Sequence, residues 1–138
     1  MIYQSYKNFY DIDENRFNYI SSYVFNYLNL EKKQFSLFIV GKSKIRNLNK
    51  IYHHLDTYTD IISLEYKDPF YIGEIFISPD LVHKNSQRFN CTFFIELDRV
   101  FIHGLLHILG YNHINTLNNH EKMFIIQEDI LKKLKWNI

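Results

Sequence analysis

The sequence predicts an α+β (mixed α/β) fold: a single four-stranded sheet covered by about five helices, with a histidine-bearing helix at its centre. Three observations predict it. Short apolar runs of strand character are mixed with helical segments without strict alternation. Apolar residues recur at helical spacing in the segments between those runs. The longest helical segment ends in a stretch, Val100 to His113, with no formal charge other than any on histidine, which is expected to be buried.

In chain order, Met1 to Phe9 is rich in Ile, Tyr and Phe and is expected to form an edge strand. Asp11 or Asp13 caps a helix running to about Leu30, with Phe17, Ile20, Val24, Tyr27 and Leu28 facing the sheet. Glu31-Lys-Lys turns into the strand Phe35 to Val40. Gly41 and Ser43 lead into a second helix, from about Ser43 to His54, with Ile45, Leu48, Ile51 and Tyr52 as its buried face. Lys42, Lys44, Arg46 and Lys50 read as its solvated side. Thr59 to Glu65 is a strand, Tyr66 to Tyr71 a polar loop, and Gly73 to Ser78 the fourth strand. Ser78-Pro79-Asp80 starts a short helix, and Lys84 to Asn90 reads as a polar connection. A long helix follows from Thr92 to about Leu109. After a turn at Tyr111 to Asn118, a last helix runs from Asn119 to about Leu134 on the stripe Met123, Ile126, Ile130 and Leu134.

At 138 residues the chain reads as one domain, residues 1–138, large enough to bury a core. The formal net charge of +1 does not mark a nucleic-acid binder, so an anionic partner must be held by a local patch. The lone cysteine, Cys91, excludes an intramolecular disulfide and fits a reducing compartment. Met1-Ile-Tyr-Gln-Ser-Tyr-Lys has no signal pattern, and no apolar run approaches the roughly 20 residues of a membrane span. A cytoplasmic location is therefore expected, with no membrane partner.

The chemistry concentrates in Ile102 to His113, I-H-G-L-L-H-I-L-G-Y-N-H. His103 and His107 lie four apart, on one helix face, about 6 Å apart along the axis. His113 would point to the opposite side of a continuing helix. It joins the other two only if the helix stops, and Gly110 is where a stop falls. Three imidazoles with a fourth position open is the pattern of a catalytic zinc site. The spacing H-x-x-x-H-x-x-G-x-x-H also occurs in metzincin zinc proteases, but those carry Glu directly after the first histidine, as general base. Here that position is Gly104.

The run His103-Gly-Leu-Leu-His-Ile-Leu-Gly-Tyr-Asn-His113 resembles the H-G-x-L-H-L-x-G-Y-D-H signature of the YbeY family, metal-dependent endoribonucleases and ribosomal RNA maturation factors. Two further segments follow that family's order. Leu48-Asn49-x-x-Tyr52 with Asp56-x-x-Thr59-Asp60-Ile-Ile-Ser63 is similar to its L-N-x-x-Y-R-x-x-D-x-P-T-D-V-L-S-F, and Gly73-Glu-Ile-x-Ile-Ser78 to its G-D-I-x-I-S. Glu121-x-Met123 with Glu128 resembles its final helix. The resemblance runs from about Phe35 to the end. It implies one Zn²⁺ ion on His103, His107 and His113, and single-stranded RNA as substrate. It also implies a role on the small ribosomal subunit, in 16S rRNA 3′-end processing and ribosome quality control. No DNA partner is expected.

The chain departs from the family pattern in several places. His53 stands where the family has an arginine, exchanging a two-pronged phosphate grip for a single, partly protonated donor, which Arg46 or His54 is positioned in sequence to supplement. Asn112 stands for the usual Asp, and Tyr58 and Leu64 for Pro and Phe. With Gly104 unable to act as a base, His53 is the candidate catalytic residue, contacting the scissile phosphate or passing a proton to the leaving oxygen; a histidine favoured by a helix C-terminus is its structural alternative. Asp60 and Glu74 are candidates to orient ligands or to act as weak bases, Asp60 more readily as a local turn or cap contact. His54, His83 and His120 read as surface residues. Two other functions stay open: a non-catalytic, metal-stabilised ribosome-assembly factor, and a metzincin-like zinc peptidase.

Overall fold

A computed structural model describes residues 1–111 and 117–134, the side chains of 117–120 excepted. In chain order the elements are β1 (Ile2–Ser5), α1 (Glu14–Tyr27), β2 (Gln34–Ile39), α2 (Lys42–His53), β3 (Ile61–Glu65), β4 (Tyr71–Ile77), α3 (Pro79–Arg88), α4 (Phe93–Ile108) and α5 (Leu117–Lys133). The strands form one mixed sheet in the order β1-β2-β4-β3. β1 and β4 both run parallel to β2, and β3 pairs antiparallel with β4. The expected α+β fold and the edge position of the first strand are thus observed.

Alternation along β2 explains how one strand serves two layers. Phe35, Leu37 and Ile39 enter the large core beneath α1, α4 and α5, whereas Val40 and Phe38 join Ile45, Ile62 and Phe76 beneath α2. The large core includes Phe17, Ile20, Val24, Leu97, Phe101, Leu105 and Ile130, each fully buried. α4 is the central helix: it lies on β3 and β4 and is flanked by α1, α3 and α5.

Helix ends follow from local chemistry. Asp13 caps α1 by accepting from the Asn15 N–H, and Thr92 caps α4 by accepting from Ile95 N–H. With only four glycines in the chain, three helices stop on non-glycine residues with positive φ: Asn29, His54 and Asn90. Asn tolerates that conformation better than most residues.

Two expectations are corrected. α2 does not bury Ile51 and Tyr52, which are 58% and 50% exposed; its inward positions are Ile45 and Asn49, with Leu48 half-buried against the same cluster as Ile45. Asn49 turns inward because its amide donates to the Thr57 carbonyl at 3.1 Å, tying α2 to the loop before β3. Residues 84–88 are not a connection but the second half of α3, turned inward by Val82 and Ser86 four positions apart.

One buried ion pair joins α1 to α4. Asp98, 1% exposed, accepts from Nε and Nη2 of Arg16 at 2.7 and 2.8 Å, and the guanidinium lies 4.7 Å from the Phe94 ring centroid. Arg16→Met removes this bidentate partner from a buried carboxylate and is expected to cost about 3–5 kcal/mol in a denaturant titration. A loss under about 1 kcal/mol would mean the pair contributes no more than a surface contact.

Candidate metal centre

His103 and His107 project from one face of α4 at its C-terminal end, both half-buried, with ring centroids 4.9 Å apart and planes inclined by 57°. The helix ends directly beyond them, as Gly110 predicted. Gly110 has φ 95°, its N–H donates to the His107 carbonyl at 3.0 Å, and the Tyr111 N–H reaches the Leu106 carbonyl at 3.2 Å. These two bonds make a Schellman motif with glycine at the left-handed position, which ends the helix. His113, the third expected donor, lies outside the described residues with Asn112, and the side chain of His120 does as well. Among the described residues no group of three His, Cys, Asp or Glu side chains is placed to hold a metal.

A chain of polar contacts runs away from His103. Its Nδ1 meets Oε1 of Gln127 at 2.8 Å, and Gln127 Nε2 donates to Glu128 Oε2 at 3.1 Å. Arg99 donates from Nε to Glu128 at 3.2 Å and from Nη1 to Glu96 at 2.6 Å. Burial pushes the Glu96 carboxyl upward, against the pull of Arg99. Burial works against the charged Arg99, but Glu96 and Glu128 outweigh it and its pKa is raised. An amide oxygen only accepts, so Nδ1 of His103 is the donor, and in the neutral ring that leaves the lone pair on Nε2. That is the donor chemistry a metal ligand needs, and in this respect His103 fits an ion.

Asp60, Ile61, Glu96, Arg99, His103 and Gln127 line a cavity of about 210 Å³ beside the histidines. Asp60 is tied to α3: its Oδ2 accepts from Asn85 Nδ2 at 3.2 Å and its carbonyl from the Ser78 N–H at 2.9 Å. Glu74 is half-buried on β4. His53 is exposed as the last residue of α2, and His54 beside it takes the left-handed conformation that ends the helix. Arg46 Nε donates to Asp56 at 2.9 Å, and its guanidinium stacks 4.8 Å over Tyr58. His83 is exposed, as expected.

Gly104 has a packing role that sequence reading missed. A Cβ there would lie 2.6 Å from Ile61 Cδ1, 3.0 Å from Ser63 Oγ and 3.2 Å from Ile75 Cγ2. It is one of the points where α4 touches the sheet. Gly73 likewise has no room for a side chain, since a Cβ would fall 2.3 Å from the Leu64 carbonyl oxygen and 3.0 Å from Ile108 Cγ2. Gln127 was also missed, though it lies four residues after Met123 and three before Ile130, and so falls on the buried stripe.

The molecule is therefore a single-sheet α+β protein that presents paired imidazoles at the end of a glycine-terminated central helix. The family described as Endoribonuclease YbeY matches residues 3–135, and the chain belongs to that family. It is 38% identical to the Endoribonuclease YbeY of Ureaplasma parvum, over 87% of this chain and 80% of that protein. It is 38% identical to that of Thermodesulfovibrio yellowstonii, over 72% of this chain and 66% of the relative. The solution structure of TM1509 from Thermotoga maritima superposes with a TM-score of 0.66 at 26% identity, covering 96% of this chain and 87% of that one.

Proposed function

We propose that the chain is a zinc-dependent single-strand endoribonuclease acting in rRNA maturation and ribosome quality control, cutting pre-rRNA at the 3′ end of the small-subunit RNA. The reading places it in the cytoplasm, working on the small ribosomal subunit. The single observation that carries it is the pair His103 and His107 on one helix face, with the lone pair of His103 Nε2 left available, in a chain of the YbeY family. His103, His107 and His113 would hold one Zn²⁺ ion. When bound, that ion supplies a Lewis acid and an acidified water.

The rest of the work falls to the chain. α2 carries Lys42, Arg46 and Lys50 on one side and no carboxylate between Lys42 and His53; Arg46 pairs with Asp56, so Lys42 and Lys50 are the cations this face offers a polyanion. His53, exposed at the end of that helix, donates to a phosphate oxygen or passes a proton to the leaving oxygen. The presence of His53 where the family has arginine also keeps a second reading alive, a metal-stabilised assembly factor with little nuclease activity. A peptidase is disfavoured because the Gly104 side of α4 is packed on the sheet.

The experiment is metal analysis of the purified protein together with cleavage of pure single-stranded RNA. One zinc equivalent and cleavage lost on chelation are expected. Zinc without cleavage favours the assembly factor; no zinc rejects the metal reading. His53→Ala is expected to lower cleavage at least about tenfold while changing stability by under about 0.5 kcal/mol, as for other exposed positions. Cleavage equal to the parent's removes His53 from the mechanism.

A further inference from the structure

We infer that Gln127 is a positioning residue for His103: its amide, held in one orientation by Glu128, fixes the imidazole tautomer that presents Nε2 to a metal ion. The inference rests on the metal reading above and names the residue that sets up its first ligand.

Gln127 is 5% exposed, on the stripe of α5 that also buries Met123 and Ile130. A polar amide in such a position costs free energy unless both its ends are satisfied. Both are: Oε1 faces His103 Nδ1 at 2.8 Å, and Nε2 donates to Glu128 at 3.1 Å. Rotating the amide by half a turn would set its oxygen against the Glu128 carboxylate, two acceptors with no proton between them. Glu128 cannot swing away freely, because both its oxygens accept from Arg99 Nε, at 3.3 and 3.2 Å, and Arg99 is itself held by Glu96 at 2.6 Å. The orientation therefore passes from a partly buried charge cluster through Glu128 and Gln127 to the ring. A neutral imidazole carries its proton on either nitrogen, and only the Nδ1–H form offers Nε2 as a donor. Gln127 selects that form and fixes the ring plane before any ion arrives. The link also crosses elements, joining α5 to the end of α4, so docking of the last helix completes the site.

The test compares the parent with Gln127→Leu, which keeps the volume and removes the acceptor, and the double variant Gln127→Glu with Glu128→Gln, which keeps an acceptor toward His103 and a donor from 128 to hold it. Zinc affinity is read by competition with a chromophoric chelator, and the tautomer of His103 by ¹⁵N NMR of the metal-free protein. Gln127→Leu is expected to weaken zinc binding about 10–100-fold, with the double variant recovering most of the loss. The parent ring is expected to be protonated on Nδ1. Zinc affinity unchanged in Gln127→Leu, or equally weak in both variants, overturns the proposal; so does a parent ring protonated on Nε2. A parent that takes up no zinc fails the function proposed above instead. The tautomer readout, which needs no metal and no variant, then decides the Gln127 contact by itself.

Discussion

Gly104→Glu is expected to prevent folding rather than to create a peptidase. The substitution restores the residue that metzincins carry after their first histidine, so a reading from sequence alone would expect gained activity. Packing decides otherwise. Of the three atoms that a Cβ at 104 would meet, Ile61 Cδ1 at 2.6 Å is the end of a flexible side chain and can swing aside. Ser63 Oγ at 3.0 Å and Ile75 Cγ2 at 3.2 Å have less reach to move, since each lies two bonds from a backbone fixed in the β3–β4 ladder. Gly104→Ala alone should cost about 1–3 kcal/mol, the usual range for overpacking. Glutamate adds four more heavy atoms and a charge with no partner at that contact. The sum approaches or exceeds the roughly 5–15 kcal/mol that holds a domain together. Soluble yield and circular dichroism check it: the Glu variant should be insoluble or unfolded, and the Ala variant folded with a lower Tm. A Glu variant melting within a few degrees of the parent would show that α4 does not sit on the sheet as described.

How much of this was legible beforehand depended on whether one residue type has one physical reason to be where it is. Gly110 had one: a break placed between His107 and His113 calls for a residue that takes positive φ, and the helix ends there. The strand Phe35 to Val40 was legible for the same reason, since a compact apolar run suits a strand with helices over both faces. Gly104 had two readings, a missing base and a close packing contact, and only the neighbouring strands distinguish them. α2 was misread at Ile51 and Tyr52 because apolar periodicity does not say which stretch of a helix lies over the sheet; the anchor, Asn49, is polar. Residues 84–88 looked like a loop because their polar side chains suit either a solvated helix or a connection. Gln127 was passed over in favour of its neighbour Ile126, although its spacing between Met123 and Ile130 is equally helical. A polar residue on an apolar stripe was itself the signal, and its meaning depended on His103, 24 residues away.

His107→Ala is expected to abolish tight zinc uptake and reduce RNA cleavage to the level of the chelated parent, while leaving the fold intact. The two effects separate because of where the side chain lies. Its backbone is inside α4, where alanine is the best helix former, so the helix loses nothing intrinsically. Its carbonyl, which accepts from the Gly110 N–H in the terminal turn, is unchanged by the substitution. The ring itself is half-buried at the end of the helix rather than in the core filled by Leu105, Leu106 and Ile108. What is removed is one donor of the expected three, and two imidazoles do not make the three-ligand catalytic site. His83→Ala serves as the control, since His83 is exposed and stands beside Tyr10 and Phe93, at ring distances of 6.0 and 6.3 Å, instead of on the histidine face of α4. Zinc content by elemental analysis, Tm and cleavage of single-stranded RNA, read on the same preparations, check the prediction. A His107→Ala protein that keeps one tightly bound zinc equivalent would move the metal elsewhere. One that loses zinc yet cleaves RNA at the parental rate would detach the chemistry from the ion.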